Sequence, residues 1–287
     1  YDQRTHVANR CSARFISNAL KPYKHLHKYM KVLVAGRGFI GKNIVSKLRE
    51  NHEVKTLDKN PSATYQQDTT QPFDIQESFD ILVHTIGLAP GLHSAESYRS
   101  VHVEGTENLL DAVICEKVIF VSALGAGEVN HSFFKTKKKA EQIVSQTHNY
   151  TIIRPSTVYG EGNKILDLMR KTAPLMIFPN MKAETQPIHV EDVTEIIEKS
   201  LENFNKETLK IAGPETMKIG DIAERLYGEK SFPCIRVPVP FWLQKSLLTA
   251  LTPLPGPFNK EDYRLLNQEN TAAANDAEDI LENLREI

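Results

Sequence analysis

No stretch of this sequence approaches the roughly 20 consecutive apolar residues needed to cross a bilayer. The most apolar late segment, VPVPFWLQKSLLTALTPLP, is broken by prolines and a lysine, so a chain without a transmembrane span is expected. Cysteine is scarce. Cys11, Cys115 and Cys234 are odd in number and far apart, which excludes a disulfide framework or a zinc knuckle and fits a reducing compartment. Charge of one sign is missing too: 35 Lys and Arg face 36 Asp and Glu, a formal net charge of −1, with no global pull toward nucleic acid. What is present, 40% hydrophobic residues in a chain of 287, suffices for a sizeable core. A globular cytoplasmic protein is expected.

Residues 1–29 differ from the rest. They are basic, with Asp2 as the single acid, and contain Ser, Arg and Asn in the manner of a transit peptide. The favoured reading takes Met30 as the natural start, preceded by an added or reading-frame extension, because a strand pattern begins immediately after it. A mitochondrial location follows only if the segment is a genuine transit signal.

From Lys31 onward apolar runs alternate with helical patterns. Lys31 to Ala35 reads as a β-branched strand, Ile40 to Glu50 as an amphipathic helix and Val54 to Leu57 as a second strand. DILVHT, KVIFVS and YTIIRP continue as strands, with AESYRSVHVEGTENLLDAVI and KTKKKAEQIVSQT as the helices between them. Strands alternating with helices predict an α/β fold: a doubly wound parallel sheet of Rossmann type, with ligands at the carboxyl ends of the strands. Residues 30–160 are assigned to this domain, and 161–287 mainly to a smaller C-terminal α/β lobe for substrate or partner, with some segments returning to the sheet.

The stretch VLVAGRGFIGKNIV carries the first chemistry. Gly36 permits a tight turn out of the strand, Gly38 allows close approach of a pyrophosphate, and Gly41 lets the following helix pack on the sheet. The helix amino terminus then presents unpaired N–H groups and about half a positive charge to the phosphates, with Lys42 adding to it. Asp58, at the tip of the second strand, is placed to accept hydrogen bonds from the adenosine ribose and to repel a 2′-phosphate. Arg37 and Lys59 oppose that reading, since both can pair with a 2′-phosphate. The balance favours NAD over NADP.

The series GRGFIG, Asp68 in YQQDTTQPF, ILVHTIG, HVEGTENLLDA, VIFVSALGAG, IIRPSTVYGEGN and PIHVEDV resembles the extended and atypical short-chain dehydrogenase/reductases of the NAD-dependent epimerase/dehydratase type. The resemblance covers nearly the whole chain from Lys31. VSALGAG followed by Lys and AE, with the late FNKEDYRLLNQEN, is most similar to the branch containing the nucleotide-binding accessory subunit of respiratory complex I and its prokaryotic relatives.

The resemblance implies cofactor contacts from Gly36, Arg37, Gly38, Phe39, Ile40, Gly41, Asp58, Lys59 and Asp68. To these it adds His84, Thr85, Ile86, Gly87, Lys137 and Pro155. It also implies a serine that orients substrate, matched by Ser122, and a lysine matched by Lys137. The tyrosine four residues before that lysine, which would move the proton, is here Phe133, and the alternative register of Phe134 with Lys138 fails equally. No tyrosine lies between Tyr98 and Tyr150. Tyr159, His84 and His131 are the alternatives for a proton carrier, each with a plainer reading: Tyr159 as packing, His84 as a loop residue under the cofactor, His131 as solvent-exposed. His102 stands where the family pattern carries an asparagine that bonds backbone, while Gly105, Thr106 and Asn108 match it. The glycine loop is also one residue shorter than is usual in the family.

Beyond Pro155 and Gly160 the chain leaves the sheet, and PIHVEDVTEIIEKSLE returns it as a helix capped or braced by Asp192. LKIAGPE reads as a strand and turn, and KIGDIAERLYG, NKEDYRLLN and AEDILENLRE as helices; no nucleotide-sugar signature is visible in this lobe. Phe241 to Leu254 reads either as a helix packed on its own domain or as a docking surface for a protein partner or a membrane. Lys135 to Lys139, apart from Lys137, read as a solvated face. Two functions remain: a dinucleotide-binding protein with a structural, assembly or redox-sensing role, or an active reductase, epimerase or dehydratase with a substituted proton donor.

Overall fold

The computed structural model describes residues 29–90, 93–163, 177–179, 183–218, 221, 225, 235–237 and 268–287. The segment 1–28, the stretch Phe241 to Leu254, the expected helix NKEDYRLLN and most of the expected helix KIGDIAERLYG lie outside the described residues.

Seven parallel strands form the central sheet: β1 (Lys31–Ala35), β2 (Glu53–Asp58), β3 (Tyr65–Gln66), β4 (Ser78–His84), β5 (Ile114–Val121), β6 (Tyr150–Pro155) and, last, Glu207–Ile211. The order across the sheet is Glu207–Ile211, β6, β5, β4, β1, β2, β3. Strand order therefore reverses between β1 and β4, and the crevice outside their carboxyl ends is where a doubly wound sheet binds ligand. Strand alternation explains the two cores. Val32, Val34, Ile81, Val83, Ile119 and Val121 face one side, and Leu33, Ala35, Leu82, Val118 and Phe120 face the other.

Helices cover both faces. Helix α1 (Phe39–Leu48) buries Ile44, Val45 and Leu48 on the first face. On the second face lie α2 (Ala95–Arg99), α3 (Gly105–Ala112), contributing Leu109 and Ala112, and α4 (Ser132–Val144), contributing Ala140 and Val144. Returning to the first face, α5 (Val190–Ser200) packs Val193, Ile196 and Ile197 beside α1. A short α6 (Asp276–Ile280) follows, its N-cap Asn275 accepting from the Ala277 amide.

Three expectations change in detail. The helix expected from Ala95 onward is interrupted by a π-helical turn, Ser100–Glu104, and it ends before Ile114, which already belongs to β5. The extra residue in that wider turn puts His102 inward, at 1% exposure. The AEDILENLRE helix stops at Ile280: Leu281 has extended backbone, φ −113° and ψ 134°, and the Arg285 amide donates to Asp192. The cap of α5 is His189, whose imidazole accepts from the Glu191 amide, whereas fully buried Asp192 braces the Arg285 amide at 3.0 Å and its guanidinium.

Candidate dinucleotide site

The glycine loop joins β1 to α1 at the reversal point. Gly36 has φ +98°, donates to the Leu57 carbonyl at 2.8 Å, and has no room for a side chain: a Cβ would lie 2.7 Å from the Thr85 hydroxyl. The Thr85 hydroxyl lies 3.0 Å from both the Ala35 and the Gly36 carbonyl and shares its one hydrogen between them, which ties the end of β4 to the loop. A Cβ on Gly41 would overlap the Gly36 carbonyl oxygen. Gly38 differs from both. It is the N-cap of α1, no side chain caps that helix end, the first turn holds no acid, and nothing lies within 4 Å of where its Cβ would be. Phe39 and Ile40 follow it as the first two helical residues, both half-buried.

At the tip of β2, Asp58 accepts from the Arg37 amide at 2.6 Å on one oxygen and from the Asn60 amide at 2.9 Å on the other. The Arg37 guanidinium reaches across to the Ser62 hydroxyl, leaving its Nε buried without a partner. Lys59 pairs with Asp68 at 2.9 Å. Burial alone would raise the Asp68 carboxyl, but hydrogen bonds from Lys59 and Thr70 outweigh it and hold the group below its ordinary value. Each cation that sequence reading allowed for a 2′-phosphate thus has a partner within the protein.

Ser122, Lys137 and Phe133 converge at the carboxyl end of β5. The buried Ser122 hydroxyl donates to Glu141 Oε1 at 2.7 Å. Glu141 is held bidentately by Arg154, at 2.7 Å from Nε and 2.6 Å from Nη2. Lys137 Nζ donates to the Val121 carbonyl at 2.9 Å and stands 4.9 Å from the Phe120 ring centroid. Burial pulls its ammonium down to about 8. Along α4, Lys135 and Lys139 are exposed as expected of a solvated face, whereas Lys138 is half-buried and pairs with Glu141 Oε2 at 3.1 Å.

Phe133 is 6% exposed and sits in an aromatic cluster, its ring 5.7 Å from Tyr98, 5.4 Å from His102 and 4.9 Å from Phe134. His131 joins this cluster and corrects its expected exposure: it is 2% exposed, its Nδ1 accepts from the Phe133 amide at 3.0 Å, and its ring packs on Tyr98 and Phe134.

His84 ends β4 fully buried, with Nε2 2.9 Å from the Thr106 hydroxyl, and burial lowers its imidazole to about 3. Tyr159, on β7 (Val158–Tyr159), donates to the Arg285 carbonyl at 3.0 Å, packs on His189 and is raised to about 12 by burial. Pro155 closes β6, its carbonyl accepting from the Leu124 amide at 2.8 Å. Sequence reading did not anticipate the partner of Ser122. The AE that follows Lys137 was a visible signal, but its pairing with Arg154 appears only when β6 lies beside β5.

Among the described residues no cluster of metal-ligating side chains occurs, and no helix is long and apolar enough to cross a membrane. Residues 32–220 match the sequence profile of the NAD dependent epimerase/dehydratase family. The mitochondrial NADH-ubiquinone oxidoreductase 40 kDa subunit of Neurospora crassa is 30% identical over 135 residues, 45% of this chain and 36% of that protein. The chain thus spans about a third of the fungal subunit's length. GDP-6-deoxy-D-talose 4-dehydrogenase of Aggregatibacter actinomycetemcomitans is 28% identical over 221 residues, 63% of this chain and 74% of that protein. The crystal structure of Bordetella bronchiseptica WbmF in complex with NAD+ shares the fold at a TM-score of 0.63 and 16% identity, covering 83% of this chain and 91% of that one. The chain belongs to the NAD-dependent epimerase/dehydratase family.

Proposed function

We propose that this chain holds a nicotinamide dinucleotide, NAD in preference to NADP, in a structural, assembly or redox-sensing role rather than as a working epimerase. The residues fit such a group. Open space above Gly38 and the uncapped first turn of α1 suit a pyrophosphate. Asp58 retains lone pairs for ribose hydroxyls, and the pairing of Arg37 with Ser62 and of Lys59 with Asp68 supports an unphosphorylated 2′ position. When bound, the dinucleotide would supply hydride chemistry; residues 30–160 would hold it. Similarity to the fungal 40 kDa subunit supports an assembly role.

The single observation that carries the reading is Phe133. Its ring has no proton to give, and the other candidates are each engaged or neutral: the Ser122 hydroxyl donates to Glu141, the Tyr159 hydroxyl donates to the Arg285 carbonyl, and burial keeps His84 neutral down to about 3. A second reading, an active reductase or epimerase with a substituted donor, draws on Lys137, whose value near 8 permits proton exchange close to neutrality.

The deciding experiment identifies any nucleotide that copurifies and follows reduced-nicotinamide absorbance with sugar nucleotides and quinones. Held but unconsumed cofactor is expected; steady turnover would overturn the binding-only reading. Phe133→Tyr provides a second check. Its hydroxyl would enter an apolar cluster, costing about 1–3 kcal/mol if unpaired, and with Ser122 still tied to Glu141 no turnover should appear. A gain of turnover with any nucleotide sugar would show that a substrate pocket is intact.

A further inference from the structure

Two imidazoles hang the segment after β4 from the body of the protein, and the direction of every hydrogen bond between them follows from chemistry. The Thr106 hydroxyl donates to the His102 carbonyl at 2.6 Å, so its free lone pair accepts from His84 Nε2–H at 2.9 Å. His84 Nδ1 is then the acceptor for the Ile86 amide at 3.3 Å. His102 Nε2 accepts from the Leu88 amide at 3.0 Å, which places its hydrogen on Nδ1, and that group donates to the Thr136 hydroxyl at 2.9 Å. Thr136 passes its own hydrogen to the carbonyl of Ser132 or Phe133, at 2.9 and 3.0 Å. One buried network thus joins β4, the π turn, α4 and residues 86–88.

We propose that His102 is a positioning residue for the dinucleotide site, fixing the segment Ile86–Leu88 on one side and the Lys137-bearing helix α4 on the other. The proposal rests on the dinucleotide reading above and says which side chain sets the geometry of that site. Gly87, between the two suspended amides, is exposed, and a Cβ there would lie 3.0 Å from Lys137 Nζ and 3.4 Å from His102 Nε2. The segment and the lysine therefore meet directly beside His102. Thr136 is the residue immediately before Lys137, so the bond from His102 fixes the helical turn that carries the ammonium. The π turn is what makes this reach available, since it turns the imidazole inward at a point where a regular helix would shift its direction. Without an acceptor at position 102, the Leu88 amide would lose its partner or swing toward water, and binding would have to reorder the segment.

The test compares NAD affinity, measured by calorimetric titration of the full chain, with the thermal unfolding midpoint for wild type, His102→Ala and His102→Asn. His102→Ala is expected to weaken NAD by about tenfold or more. His102→Asn, whose amide oxygen can accept from Leu88, is expected to recover affinity to within about threefold of wild type. A merely structural role would move the unfolding midpoint without this rescue pattern in affinity. Wild type that binds no NAD sinks the dinucleotide reading itself. Wild type that binds, with His102→Ala binding equally well, or with His102→Asn folded but as weak as alanine, overturns the positioning role. Should His102→Ala fail to fold, Thr136→Val removes the acceptor for Nδ1–H while keeping the imidazole in place; a folded Thr136→Val with wild-type affinity would likewise overturn it.

Discussion

Gly41→Ala is expected to abolish dinucleotide binding and to destabilise the fold, while Gly38→Ala, three residues away, weakens binding by about tenfold or more and leaves the fold intact. The contrast comes from what each Cβ would meet. In a helix interior alanine is normally worth about 1 kcal/mol over glycine. At Gly41 that gain is overwhelmed, because the new carbon would overlap the Gly36 carbonyl oxygen and also come within 2.9 Å of the Thr85 hydroxyl. A backbone carbonyl cannot rotate aside as the end of a side chain can, so the β1–α1 turn must open. Overpacking of this kind costs roughly 3 kcal/mol or more.

At Gly38 the protein offers no obstacle. Its φ of −67° and ψ of −164° are extended backbone open to other residues, and no atom beyond its chain neighbours lies within 4 Å of the added methyl. The unfolding midpoint should shift by no more than a few degrees, since a loss below about 1 kcal/mol moves it little. The methyl would, however, occupy the open side of an uncapped helix terminus. NAD affinity should fall by about tenfold or more, as expected when a well-fitted phosphate loses its seat. Unfolding curves and calorimetric titrations of both variants check this. If Gly38→Ala bound NAD as tightly as wild type, the pyrophosphate would have to lie elsewhere.

These glycines were legible because the strand–turn–helix pattern forces their roles: no other residue type fits at Gly36 or Gly41. The strands were legible for a related reason. A parallel sheet buried on both faces needs continuous apolar runs, and ILV and VIFV are such runs. What escaped was set by side chains meeting across elements. Along α4 the residues Phe133, Lys137, Glu141 and Val144 share one buried face, although two of them are charged. Helical periodicity treats a Glu in a lysine-rich stretch as solvated, and only the family resemblance set Lys137 apart from its neighbours. Burial of the two charged residues depends on Arg154 from β6 and the Val121 carbonyl from β5, partners that no local window contains. The π turn was hidden in the same way. Nothing in SVHVE marks the extra residue, which is secured by Thr106 on the His102 carbonyl and His102 on the Leu88 amide.

Acidification from pH 6.5 to 4.5 is expected to remove about 5 kcal/mol of stability, well before the bulk of the carboxylates titrate. Burial first, and then the nearby Lys137 ammonium, lower His84 to about 3 and His102 to about 2. An unfolded chain protonates both imidazoles near 6.5, whereas the folded chain keeps them neutral throughout this interval. The unfolded state therefore binds more protons, and stability falls as pH falls through the window between 6.5 and about 3. The slope is about half of 1.4 kcal/mol per pH unit per group at 6.5, where the unfolded imidazole is half protonated, and approaches that value below it, so the two groups together lose about 5 kcal/mol over the interval. Against a total stability of about 5–15 kcal/mol, that loss brings an ordinary domain close to its midpoint. The hydrogen bonds give the same sign, since protonating His84 Nδ1 or His102 Nε2 would turn an acceptor toward the Ile86 or Leu88 amide into a competing donor. Chemical denaturation at pH 7, 6, 5 and 4.5 measures the slope. His102→Asn, which cannot titrate, should flatten that slope by about half while leaving stability at pH 7 nearly unchanged. A wild-type slope near zero across the interval would mean that the folded chain binds protons at these histidines as readily as the unfolded one, and the buried network would have to be drawn with charged imidazoles.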